Sequence, residues 1–124
     1  MKYTNSVLKK HLLLNKTIKA LKYVGNNPAD NPCISPVYGK YSGFPPMLMQ
    51  VGGDEMLLND TIKVAQKAKE AGVVVQQTTY SVMFHVFQML FPELSDANMA
   101  WGEVDSFIKD IFCGRRLSDG VYSN

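Results

Sequence analysis

An α/β fold with parallel strands is predicted from three features of the sequence. A short apolar run, Met47–Val51, reads as a buried strand, and a second strand-like run, Val73–Tyr80, follows it. The crossover between them, residues 52–72, is long enough to hold a helix and to return the second strand parallel to the first. An amphipathic helix over residues 95–113 then completes the order strand, helix, strand, helix.

Each element has a local cause. Residues 1–25 form a polar start followed by a helix, in which Leu14, Ile18 and Leu21 fall at helical spacing and Gly25 supplies the stop. Residues 26–46 are rich in Pro, Gly and Asn, and each residue before a proline is pushed towards extended geometry, so this loop is stiff. Its apolar residues, Ile34, Val37, Tyr38 and Phe44, need a surface to pack on, which argues against a domain linker. The nearly continuous apolar run Met47–Val51 suits a strand buried on both faces, and Gly52-Gly53 lets the chain turn at its end. The helix over 59–71 has Ile62, Ala65 and Ala68 on its expected inner face, with Gly72 at the C-cap position. Alternation in Val73–Tyr80 weakens towards Tyr80, which places this strand near a sheet edge. The helix over 95–113 turns Ala100, Val104, Phe107, Ile108 and Ile111 to one side, and residues 114–124 read as a tail.

Length and composition bound the function. The 124 residues suffice for one domain, read here as a single partial α/β domain over 1–124. Thirteen Lys and Arg against eleven Asp and Glu leave a net charge of +2, scattered along the chain, so nucleic acid is not an expected partner. No apolar run has the length of a membrane span, and Leu12–Leu14 is too short for a signal-peptide core, so a cytoplasmic location is the expectation. Cys33 and Cys113 lack metal-ligand spacing and are expected to be buried, reduced and inert. Two parallel strands do not make a self-sufficient sheet, so the sheet is expected to be incomplete.

Two ionisable residues stand where open α/β sheets present functional groups, just beyond the C-terminal ends of strands. Asp54 follows the first strand after two glycines, and His85 follows the second within a short apolar loop. Adjacent parallel strands would bring these loops together, and a carboxylate beside a histidine orients the ring and fixes its tautomer. Each residue alone has a bland reading. A histidine in an apolar stretch is usually a packed loop or core residue, and an aspartate after Gly-Gly is often a turn or cap residue. Placement on consecutive strand ends is what favours chemistry.

Three stretches carry a family resemblance in the right order. Residues 50–60, Gln-Val-Gly-Gly-Asp-Glu-Met-Leu-Leu-Asn-Asp, resemble the acid motif of the hormone-sensitive-lipase family of α/β-hydrolases. Residues 83–88, Met-Phe-His-Val-Phe-Gln, resemble that family's histidine motif, and Asn31–Gly39 with Ser42–Leu48 resemble the stretch leading into the acid-bearing strand. The resemblance runs from about Leu12 to about Phe112 and implies the C-terminal part of an α/β-hydrolase fold. It implies Asp54 as triad acid and His85 as general base, hydrolysis of a small-molecule carboxylic ester, and neither cofactor nor metal. Glu55 and Asp60 are expected to bond backbone or cap the following helix. Val82 stands where the resembled family has glycine, and a β-branched residue resists positive φ, which bears on how His85 is aimed.

The resembled family needs a nucleophile on a Gly-x-Ser-x-Gly elbow and a glycine-rich oxyanion hole, both N-terminal to the acid. None of the eight serines has glycine at both flanking positions; Ser118 has Gly120 after it but Arg116 before it. The expectation is therefore a segment that supplies acid and histidine and is inactive alone. It would be completed by an N-terminal hydrolase half, or would self-associate. A non-catalytic interaction module reusing the same scaffold is the alternative.

Overall fold

The computed structural model describes residues 24–115 and 117–123, so the helix expected around Leu14–Leu21 lies outside the described residues. The chain divides into two compact units, residues 1–39 and 40–124. In the first, the described residues are a series of turns and one short 3-10 helix, Pro36–Tyr38, with proline at its first position. The Asn31 side chain accepts the Cys33 N–H at 3.0 Å, an Asx-type turn that suits a proline-rich loop.

The second unit is a three-stranded parallel sheet with helices. Its elements are β1 (Met47–Gly52), α1 (Leu58–Glu70), β2 (Val75–Tyr80), α2 (Phe87–Leu90), α3 (Ser95–Phe112) and β3 (Gly120–Ser123). The strand order is β1-β2-β3, with both pairs parallel. The register sets Met47 opposite Val75 and Gly52 opposite Tyr80, so β1 and β2 end level with one another. That alignment sets the loops after β1 and β2 side by side.

The strand–helix–strand–helix order expected from the sequence is present, with four differences. First, β2 is the middle strand, because β3 pairs on its other side where a tail was expected. The weak alternation of β2 has another cause. Val75, Gln77, Thr78 and Tyr80 are all buried, so both faces are covered and the period-2 signal is lost. Asp119 anchors β3 by accepting the Val75 N–H at 2.8 Å. Second, β1 is half-buried over Met47–Gln50 and fully buried only at Val51 and Gly52. Third, Ile62 is exposed, because the buried stripe of α1 runs through Val64, Ala65 and Ala68 and Ile62 lies past its edge. On α3 the buried residues are Ala97, Ala100 and Phe107, whereas Ile108 and Ile111 are exposed. Fourth, Cys33 and Cys113 lie at the surface, not in a core. One sits in the Asn31 turn and the other caps α3.

The helix stops follow from the sequence. After α1, Gly72 takes φ of +83°, the Gly72 N–H donates to Lys69 O and the Val73 N–H donates to Ala68 O. This Schellman arrangement satisfies the last carbonyls and turns the chain into β2. The four-residue α2 is far too short to be stable by itself. It is held by Phe87, which is fully buried against Tyr80, Ala97 and Ala100, with ring centroids of Tyr80 and Phe87 5.0 Å apart. Burial of a phenyl ring of this kind contributes about 1.5–3 kcal/mol towards holding this turn against the core. Among the described residues no helix is long and apolar enough to cross a membrane.

Candidate functional site

The level ends of β1 and β2 force two loops against each other, residues 53–57 after β1 and 81–86 after β2. The contact is backbone on backbone. Gly53 N–H donates to Tyr80 O at 2.7 Å, Asp54 N–H donates to Met83 O at 3.1 Å, and Met83 N–H donates to Tyr80 O at 3.0 Å. A Cβ on Gly52 would collide with the Met83 carbonyl, and one on Gly53 with the Ser81 carbonyl. The two glycines are therefore required by close approach of the chains.

Asp54 and His85 both lie on this rim, as their strand-end positions predict, but the carboxylate that reaches the ring is that of Glu55. His85 Nδ1 and Glu55 Oε2 are 2.6 Å apart, the short distance of a charge-assisted hydrogen bond. Asp54 is exposed and makes no hydrogen bond or ion pair with His85. Glu55 is held from both ends, because its other oxygen, Oε1, accepts the Gly52 N–H at 2.8 Å. Its side chain is 9% exposed, against 65% for His85. The carboxylate is thus fixed and sheltered, and the ring projects outward. His85 Nε2 makes no hydrogen bond among the described residues, which leaves it open to a group arriving from outside. Sequence reading expected Glu55 to bond backbone, and it does so. It missed the bond to His85, because strand-end placement does not tell which of two adjacent carboxylates turns inward.

Val82, a β-branched residue that resists positive φ, lies outside that region, and the strained residue of the His85 loop is Val86, at φ 60° and ψ 29°. A β-branched residue there is a genuine outlier, costing on the order of 1–2 kcal/mol. The left-handed turn at Val86 sends the chain from the His85 loop directly into α2, where Phe87 is buried. Phe84 and Phe91 meet edge to face across this turn, with centroids 5.4 Å apart. Asp60 sits in the first turn of α1, where its charge favours the positive end of the helix, and Leu57 at the N-cap makes no side-chain cap.

Behind the rim, Gln50, Thr78, Gln88 and Glu103 form a hydrogen-bonded group between the sheet, α2 and α3. The Tyr80 hydroxyl beside it is buried with no hydrogen-bond partner, and burial first, then the charge of Glu103, push its pKa up. Among the described residues no three His, Cys, Asp or Glu side chains group as metal ligands.

Known proteins fit this architecture. A family model described as alpha/beta hydrolase fold matches residues 2–89. An acetyl-hydrolase of Streptomyces hygroscopicus is 32% identical over 90 residues, covering 73% of this chain and 30% of its own length. An esterase of Acinetobacter venetianus is 36% identical over 80 residues, covering 64% of this chain and 26% of its own length. Among solved structures, a hormone-sensitive lipase from a metagenome library superposes with a TM-score of 0.65 at 41% identity, over 69% of this chain and 30% of that one. An esterase/lipase from an uncultured bacterium gives a TM-score of 0.67 at 35% identity, over 71% and 30%. The chain thus spans about a third or less of the length of the relatives it matches. Strand order, paired loops, motif order and these likenesses agree that the chain belongs to the α/β-hydrolase fold family, among the esterases and lipases related to hormone-sensitive lipase.

Proposed function

We propose that this chain supplies the acid and the base of a serine ester hydrolase, with His85 as general base and Glu55, not Asp54, as the acid that orients it. The observation that carries this reading is the 2.6 Å contact of Glu55 Oε2 with His85 Nδ1, with Nε2 left open. In such a triad the carboxylate holds Nδ1–H, and Nε2 takes the proton from the attacking serine hydroxyl and returns it to the leaving alcohol. Glu55 is suited to this role because Gly52 N–H fixes its other oxygen, so the ring is held by a carboxylate that does not swing.

The substrate class is a carboxylic ester, in keeping with the esterase and acetyl-hydrolase names of the relatives. No serine of the chain sits on a Gly-x-Ser-x-Gly elbow, so the nucleophile and oxyanion hole come from another polypeptide segment. An acid–base pair without them would give at best about 10²–10⁴-fold general-base catalysis.

The test is a chimera in which this chain replaces the matching segment of the Acinetobacter esterase, assayed on p-nitrophenyl acetate. A folded chimera that hydrolyses the ester, and loses that activity on His85→Ala, supports the reading. A folded chimera without activity, or one indifferent to His85→Ala, refutes it.

A further inference from the structure

The His85 loop is braced from behind by a directional relay of side chains. Glu103 on α3 is an acceptor only; its Oε2 takes the Gln50 amide N–H at 2.8 Å and its Oε1 takes the Thr78 hydroxyl at 3.1 Å. The same Gln50 nitrogen donates to Ala100 O at 2.8 Å. With its nitrogen committed to α3, Gln50 turns its carbonyl oxygen the other way, where it accepts the Gln88 amide at 3.2 Å. Gln88 lies on α2, three residues after His85, and its own backbone carbonyl accepts the Trp101 indole N–H at 3.2 Å. Gln88 is therefore tied through its side chain to β1 and through its backbone to α3.

Between His85 and Gln88 stand only Val86, in the left-handed region, and Phe87, in the core. Backbone strain at such a residue persists only where its surroundings over-determine it. Phe87 supplies burial, which is strong but does not fix rotation of a single helical turn. The Gln88 contacts supply direction.

We propose that Glu103 and Gln88, acting through Gln50, are positioning residues for His85. The anionic Glu103 sets the orientation of the Gln50 amide, Gln50 sets α2, and α2 keeps Val86 left-handed so that the ring meets Glu55. This rests on the reading of Glu55 and His85 as the acid–base pair.

The experiment reads the tautomer of His85 directly. The uniformly 15N-labelled chain is recorded in long-range 1H–15N ring spectra above the ordinary imidazole titration range, with the sequence's other histidine, His11, as reference. A held ring shows a protonated Nδ1 and a bare Nε2. In Glu103→Gln and in Gln88→Leu the ratio of Nδ1–H to Nε2–H forms is expected to fall about tenfold, the scale of one lost hydrogen bond. The backbone amide spectrum of β1 and β2 stays that of the native fold. Gln88→Leu, which removes only the amide from a half-buried site, decides the matter if Glu103→Gln does not fold. Folded variants with the native tautomer ratio overturn the relay. A native chain without Nδ1–H at His85, or one whose ratio is unmoved by Glu55→Gln, overturns the acid–base reading and the relay with it. A response to Glu55→Gln alone removes only the relay.

Discussion

Glu55 and His85 meet at 2.6 Å across the ends of two neighbouring parallel strands, and neither residue is placed by its own strand alone. Gly52, opposite Tyr80 in the register, brings the β1 loop against the β2 loop, and the Gly52 N–H also clamps Glu55. The contact is thus a product of register, glycine and one side chain that bonds at both ends.

The close approach at Gly52 and Gly53 predicts a stability cost for any side chain there. The atoms that a Cβ would meet are the backbone carbonyls of Met83 and Ser81, which cannot move aside as a flexible side chain would. Gly52→Ala and Gly53→Ala are each expected to destabilise by about 2 kcal/mol or more. The urea unfolding midpoint measures this. Native midpoints in both variants would show that the loops are not in contact.

Val86→Gly separates strain from aim. Glycine removes the left-handed penalty of about 1–2 kcal/mol but adds about 0.5–1 kcal/mol of backbone entropy. The thermal midpoint is therefore expected to stay level or rise slightly, while the Nδ1–H tautomer of His85 becomes less dominant. A midpoint lowered by several degrees would contradict the strain assigned to Val86.

Tyr80 makes stability depend on pH on the alkaline side. Its hydroxyl is buried without a partner, and burial raises its pKa above the ordinary 10.0. Above that ordinary value the unfolded chain loses the tyrosine proton and the folded chain keeps it, so stability contributed by the neutral phenol is lost as pH rises past it. Tyr80→Phe is expected to unfold at an equal or higher denaturant concentration near neutrality and to lessen the loss on the alkaline side. By contrast, Thr78→Val leaves Glu103 Oε1 short of a donor and is expected to cost about 1–3 kcal/mol. Chemical denaturation of both variants at neutral and alkaline pH checks the pair.

Much of this fold is legible in sequence because its long elements carry a pattern. The helices at 59–71 and 95–113 show a helical period, and the runs at 47–51 and 73–80 stand out as apolar or β-branched stretches next to glycine or proline. α2 and β3 have four residues each, too few for any period, and each is held from outside, by Phe87 and by Asp119 respectively. The rim that carries the candidate site is legible as the ends of two parallel strands. Which carboxylate turns to His85 is not. The strand-end reading falls on Asp54, with Glu55 expected to bond backbone or cap the helix, and the structure turns Glu55 to the ring, where a hydrogen bond from Gly52 N–H fixes it. Likewise, the sequence marks Val82 as a β-branched residue where the resembled family has glycine, but nothing in it marks Val86, where the positive φ falls as the loop turns into α2.

The role of Glu55 is tested by comparing Glu55→Gln with Asp54→Asn in the esterase chimera, measuring kcat/KM on p-nitrophenyl acetate. Glu55→Gln is expected to lose about 10²-fold or more, because an amide cannot hold the imidazolium that forms during proton transfer. The exposed Asp54→Asn is expected to change it within about threefold, as for most surface substitutions away from a site. The reverse pattern, with Asp54→Asn inactive and Glu55→Gln near native, would rule out Glu55 as the acid that orients His85.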